Sequence, residues 1–266
     1  MNPSTHPYRS PSNTSNNGSL STNSQPHKQD RPIPAPGRAR PGFRRLEFSV
    51  NNELVLRLDG TQPLSATSVE ELADLCDRAE DHRESGPVTL HVTGVPPADW
   101  SKELAVGLVS KWERQVRRFE RLNRVTVAVA SGDCAGTALD LLLAADVRIV
   151  APGTRLLLSW AGGATWPGMT VHRLTQQAGA AAIRRAVLLG VPIEADRALA
   201  LNLIDEVSED PAASLAELAK TADVVDGAEI AIRRQLIFEA GATAFEDALG
   251  AHLAAADRAL RREAAS

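Results

Sequence analysis

"VTVAVASGDCAGTALDLLLAADVRIV", Val125–Val150, is the stretch on which the reading of the fold turns. It opens inside an apolar, partly β-branched run, Arg124–Ala130, that reads as a strand. A turn of small residues follows, Ser131–Gly136, and then an apolar helix with one acid, Asp140, near its start. A second strand, Asp146–Val150, closes the unit. Strand, helix and strand in that order build a parallel sheet, because the helix carries the chain back to the starting edge. The loops at the carboxyl ends of such strands gather on one edge, where ligands bind. Two loops fall there: "SGDCAG", 131–136, and "TGVPPADW", 93–100.

The same alternation extends towards the N-terminus. "PVTLHVTG", Pro87–Gly94, reads as a strand, and Ser101–Leu122 as a long amphipathic helix. "SVEELADLCDRAEDH", from Ser68, carries a capping box, with Ser68 at the cap and Glu71 three positions on. Its Val69, Leu72, Leu75, Cys76 and Ala79 share one helical face. "LEFSVNNELVLRLDG", 46–60, reads as a hairpin turning at Asn51–Asn52.

Towards the C-terminus, "TRLLLS", 154–159, is a candidate strand, and a Gly-rich loop with Trp160 and Trp166 follows. From Val171 the pattern is helical, interrupted by a short strand in "LIDEVS", 203–208. The last helix, 244–264, has an apolar stripe suited to a neighbouring subunit. The expected division is a basic, disordered leader over 1–42, a core over 43–208 and a helical region over 209–266.

Composition agrees with a globular α/β protein: of 266 residues, 43% are hydrophobic, 23% charged and only 4% aromatic. The formal charge of -4 is uneven, because residues 1–45 hold seven Lys/Arg and one acid. Half of the 16 prolines also fall in the leader. Such a segment buries too little apolar surface to offset its ordering entropy. A basic leader can touch nucleic acid, but the acidic body and the lack of interleaved aromatics argue against that. Two cysteines, Cys76 and Cys134, make neither a disulfide scaffold nor a metal-type pair. No apolar run nears the roughly 20 residues that cross a bilayer, and no signal-type segment opens the chain. A soluble, cytoplasmic protein is expected.

The ordered set of motifs resembles the crotonase (enoyl-CoA hydratase/isomerase) superfamily. The resemblance rests on "VTVAVASGDCAGTALDLLLAADVRIV", Pro167–Gly168, Arg173–Leu174, a small-residue helix ending at Gly190, Ala195 and Ala198, and "NLIDEV". A closer likeness, carried by "LVSKWERQVRRFERL", "GTALDLLLAAD", "ATWPGM" and "RLTQQAGAAAIRRAVLLG", is to the crotonase-type dehydratases found beside a type III polyketide synthase. Those form 3,5-dihydroxyphenylacetyl-CoA, the precursor of dihydroxyphenylglycine in antibiotic biosynthesis.

The resemblance implies a ββα spiral core, C-terminal helices that assemble a homotrimer or dimer of trimers, and an acyl-CoA thioester as substrate. It implies no metal and no redox cofactor, with CoA arriving as part of the substrate. Two backbone N–H groups would stabilise an enolate-like oxygen, as fixed dipoles do in an oxyanion hole. Matching the motif places them at Thr137 and Ala98, with Gly136, Trp160 and Trp166 around the substrate. Pro96 and Pro97 have no N–H to offer. Of the two glutamates usual in the family, Asp140 stands at the first position and Trp160 at the second. A single acid suits a polyketide ring whose protons are already acidic and whose loss of water leads to an aromatic. Read without the family, Asp140 is a carboxylate at the positive end of a helix, worth ~0.3–1 kcal/mol.

Of the remaining side chains, His82, His91 and Asp146 read as structural, Cys134 as a buried filler and His172 as a surface residue. Arg173, Arg184 and Arg185 are candidates for CoA phosphates or for solvent. The competing function is a non-catalytic partner, holding intermediates for a polyketide synthase or a second crotonase.

Overall fold

The computed structural model describes residues 54–81 and 86–265. The leader over 1–42, the first arm and turn of the expected hairpin, and His82 lie outside the described residues.

Five strands form a parallel ladder in the order β1 (Val55–Asp59), β2 (Val88–Gly94), β3 (Thr126–Cys134), β4 (Val147–Val150) and β9 (Glu206–Val207). Their inward residues are the Val, Leu and Ala of the sequence pattern, and Val88, Leu90, Val127 and Ala128 are fully buried. Helix α1 (Ala66–Asp81) buries Val69, Leu72, Leu75, Cys76 and Ala79, the face read from its periodicity. Its start differs from that reading. Ser65, not Ser68, is the capping residue: the Ser65 Oγ accepts from the Ser68 N–H at 3.2 Å. Helix α2 (Val106–Phe119) begins later than Ser101, because residues 99–104 are spent on tight turns after the double proline. Its stripe of Trp112, Val116 and Phe119 is buried at spacings of four and three.

Strand β3 runs past Ala130 to Cys134. Its register against β2 slips between Val92 and Gly94, and its last residues pair with β5 (Arg155–Leu156). The supposed turn over 131–134 is therefore a strand bent by a bulge. Helix α3 (Thr137–Ala144) follows at once, and all eight of its residues are buried. It lies on β1, β2 and β3, with α2 and α4 (Met169–Ala178) beside it. Arg148 in β4 holds its far end, donating to the carbonyls of Leu143 at 2.8 Å and Ala145 at 3.1 Å. Those carbonyls have no partner inside the helix, so the buried guanidinium satisfies them.

The Gly-rich stretch is a small hairpin of β6 (Trp160–Ala161) and β7 (Ala164–Thr165). Gly162 and Gly163 both have positive φ, 61° and 83°, as a two-residue hairpin turn with the sheet's twist requires. Helices α5 (Ala180–Leu189) and α6 (Ala195–Ala200) flank β8 (Ile193–Glu194), which pairs antiparallel with β5. Three helices complete the chain: α7 (Pro211–Ala222), α8 (Gly227–Ala240) and α9 (Phe245–Glu263). Arg234 ties α8 to the sheet, donating to both oxygens of Asp146 at 2.6 Å. Asp146 also accepts from the Thr126 N–H and hydroxyl, which gives it the structural part read from the sequence. Among the described residues no helix is long and apolar enough to cross a membrane.

Candidate active site

A cleft of about 590 Å³, counted to its open mouth, lies beyond the carboxyl ends of β2 and β3. The floor is the first turn of α3. Gly136 precedes it with φ 56° and ψ -131°, a conformation that favours glycine, and a Cβ there would press on Pro96 and Ser159 at 3.3–3.4 Å. No side chain caps α3, so its first N–H groups, including that of Thr137 in the cleft lining, stand without a side-chain acceptor. Thr137 does not have positive φ, so its side chain is accommodated there without backbone strain.

Asp140 sits one turn on, in the cleft wall and only 8% exposed. The Trp112 Nε1 donates to its Oδ2 at 3.0 Å, and the Thr170 hydroxyl donates to its Oδ1. Burial pushes the Asp140 carboxyl above the usual carboxylate range. The Thr170 hydrogen bond, the charge of Arg173 and the Trp112 hydrogen bond pull the other way. A carboxylate serving only the helix dipole would stand in water; this one is enclosed by α2, α3 and α4.

Glu113, next to Trp112 on α2, lines the same cleft. Its Oε2 lies 3.0 Å from the Arg173 Nη1 as an ion pair, while the Arg173 Nε donates to Glu120 at 2.8 Å. The Arg173–Glu113 contact lacks hydrogen-bond alignment, and Nη1 has no hydrogen-bond partner among the described residues. Burial, then the charge of Asp140, pushes the Glu113 carboxyl up to about 6, against the pull of Arg173. Arg173 thus faces three carboxylates, of which only Glu120 has a second cation, Arg117 at 2.9 Å, and the shortfall of positive charge favours a proton on one of them.

The opposite wall is apolar. Trp100 and Trp166 meet edge to face, with ring centroids 5.2 Å apart, and Leu104, Leu157 and Leu158 extend the surface. Ser159 is the exception. Its hydroxyl lines the cleft beside Gly136, is buried, and has no hydrogen-bond partner among the described residues.

The cleft therefore gathers Asp140, Gly136, Thr137 and Trp166 from the residues singled out in the sequence. Trp160 and Ala98 are not part of its wall. The Trp160 ring packs on Gly190 and is 49% exposed, and only its carbonyl reaches back, accepting from the Trp100 Nε1 at 2.9 Å. Ala98 sits on an exposed turn between Pro97 and Trp100. Arg173 is withdrawn from the set of phosphate candidates, since it is buried and committed to Glu113 and Glu120. His172, Arg184 and Arg185 are exposed, and Cys134 is buried with its thiol pushed up by burial. His91 is pulled down to about 4 by burial, then by Arg57.

The model of the enoyl-CoA hydratase/isomerase family matches residues 102–261. The chain is 77% identical to an enoyl-CoA hydratase of Amycolatopsis orientalis over 217 residues, which cover 82% of this chain and 100% of that one. The chain belongs to the enoyl-CoA hydratase/isomerase family. It is also 36% identical over 104 residues to a probable enoyl-CoA hydratase of Mycobacterium tuberculosis, covering 36% of this chain and 38% of the relative. Its fold is similar to that of an enoyl-CoA hydratase/isomerase from Marinobacter aquaeolei, with TM-score 0.68, 17% identity, and 79% and 89% of the two chains covered.

A second cleft carboxylate comes from α2, where Glu113 lines the wall. Glu113, Trp112, Trp100 and Thr170 were not singled out in the sequence. The only local signal was Glu113 at the border of a buried stripe, next to the tryptophan that reaches Asp140.

Proposed function

We propose that the protein is a carbon–oxygen lyase that removes water from a polyketide-derived acyl-CoA thioester, as a dehydratase in 3,5-dihydroxyphenylacetyl-CoA formation. The observation that carries this reading is the enclosed Asp140, hydrogen-bonded on both oxygens, at the floor of a cleft walled by two indoles. In the proposed reaction the thioester carbonyl lies against the Thr137 N–H, where a fixed dipole meets the developing enolate charge. Asp140, whose hold on a proton burial strengthens, gives that proton to the departing hydroxyl. Trp100 and Trp166 hold the flat ring. Of the two N–H donors first expected, only Thr137 has a part here, because Ala98 lies outside the cleft wall.

The proposal calls on no metal and no redox cofactor, and CoA enters with the substrate. It includes assembly as a homotrimer or dimer of trimers in the cytoplasm, alongside a type III polyketide synthase. The relative called an enoyl-CoA hydratase supports the hydro-lyase class. Tryptophan at the second acidic position supports the alternative of a partner that holds intermediates for a second crotonase.

The test is water loss from the synthase product, followed by mass spectrometry for wild type and Asp140→Asn, with and without a partner crotonase. A positioned acid is worth roughly 10²–10⁴-fold, and the variant is expected to lose that much. Equal activity of the two proteins would assign the chain the holding role.

A further inference from the structure

Loss of water from a β-hydroxy thioester moves two protons. One reaches the leaving oxygen, and the other leaves the carbon next to the thioester. Asp140 can serve only one end at a time, and both of its oxygens are already engaged by Trp112 and Thr170. The family's second position holds Trp160, whose ring is turned onto Gly190. Glu113 is the remaining carboxylate in the cleft wall. Its Oε2 is steadied by Arg173 at 3.0 Å. Trp112 and Glu113 are consecutive on α2, so one turn of that helix supplies both the donor that fixes Asp140 and a second carboxylate.

We propose that Glu113 is the base of this site, taking the proton from the carbon next to the thioester while Asp140 protonates the departing hydroxyl. The inference rests on the dehydratase reading above and names the residue that completes it. The step balances. The C–H bond breaks towards Glu113, its electron pair forms the new C=C bond through the enolate, and the C–O bond breaks. The oxygen leaves as water with the proton of Asp140. Solvent then takes the proton from Glu113 and returns one to Asp140. The groups around Glu113 fit a base that works near neutral pH: burial and the charge of Glu120, just past the end of α2, push its carboxyl up, and Arg173 on α4 restrains it.

The test separates proton removal from water loss. Phenylacetyl-CoA has a flat ring for the indole wall and no hydroxyl to lose. Full-length protein is incubated with it in D2O, and deuterium at the carbon next to the thioester is followed by NMR. Wild type is expected to exchange, with a rate that rises through about pH 6 as Glu113 ionises. Glu113→Gln is expected to lose roughly 10²-fold or more and the pH limb with it. Asp140→Asn is expected to keep exchange while losing dehydration. Glu113→Asp, which keeps the charge one methylene back, is expected to exchange slowly with the limb intact, showing that the fold survives. No exchange by wild type, or exchange by Glu113→Gln at the wild-type rate, overturns the proposal. Exchange that depends on Glu113 in a protein that never dehydrates the synthase product leaves the base in place and overturns the dehydratase reading instead.

Discussion

Helices α3 and α9 both carry leucine and alanine and do opposite things. Helix α3 has eight residues, all buried; α9 has nineteen and buries none. Alone in water an eight-residue helix is marginal, because nucleation is costly and few hydrogen bonds follow it. What stabilises α3 is contact on every side: Leu139, Leu141, Leu142 and Leu143 are at most 1% exposed. Each contributes about 1.5–3 kcal/mol of apolar burial. The site inherits that rigidity, since Asp140 stands between Leu139 and Leu141. Helix α9 instead leaves Phe245, Leu249, Leu253 and Leu260 in solvent and is tied to α8 by Arg258 and Arg262 on Glu229. Sequence length is thus a poor guide to which helix the fold depends on.

The charged groups give the sharpest way to break this comparison. Arg173 is buried between Glu120 and Glu113 beside α3, whereas Arg262 on α9 lies at the surface with Asp226 and Glu229. Arg173→Met strands Glu113 in the cleft wall and leaves Glu120 with Arg117 alone, and is expected to cost about 3 kcal/mol at pH 7 in urea unfolding. The deficit should narrow as pH falls towards 5, because a protonated carboxyl no longer needs the guanidinium. Arg262→Met should leave the unfolding midpoint where it is, since solvent screens that pair. Equal losses would mean that α9 is buried in an assembly.

A second pair of variants asks the same of the apolar stripes. Leu142→Ala empties a closed site and is expected to cost about 2–5 kcal/mol. Leu253→Ala should fall within about 0.5 kcal/mol for an isolated subunit. If Leu253→Ala costs as much as Leu142→Ala, and sedimentation shows an assembly that the variant loses, the stripe of α9 is an intersubunit core. That outcome would support the trimeric assembly proposed above.

The same contrast explains what could be read from the sequence. The parallel sheet and the α1 face were legible, because strand runs and a 3.6-residue period report on neighbours within one element. Asp140, Thr137 and Gly136 were legible from the order of motifs around α3. Glu113 and Thr170 were not, because each belongs to the site only after α2 and α4 pack against α3 from distant parts of the chain. Trp160 shows the converse. Its place in the motif order put it at the substrate, yet Gly162–Gly163 turns a hairpin that carries its ring onto Gly190. The cap of α1 was misread by three residues, since serines at 65 and 68 both precede apolar residues and the sequence does not choose between them.

The smallest expected effect tests whether the rigid floor beneath Asp140 is tuned for folding or for chemistry. Ser159 has a buried hydroxyl with no hydrogen-bond partner among the described residues, at the mouth of α3 beside Gly136. An unsatisfied buried hydroxyl costs stability, so Ser159→Ala should raise the unfolding free energy by about 1 kcal/mol. If the hydroxyl instead waits for the thioester oxygen beside the Thr137 N–H, the stabilised variant should be the slower catalyst, by up to about 10²-fold, the worth of one oxyanion donor. Gain in stability with loss of dehydration would place Ser159 in the site. Gain in stability with unchanged dehydration would make the hydroxyl a packing defect, and would leave the Thr137 N–H as the sole donor at the end of α3.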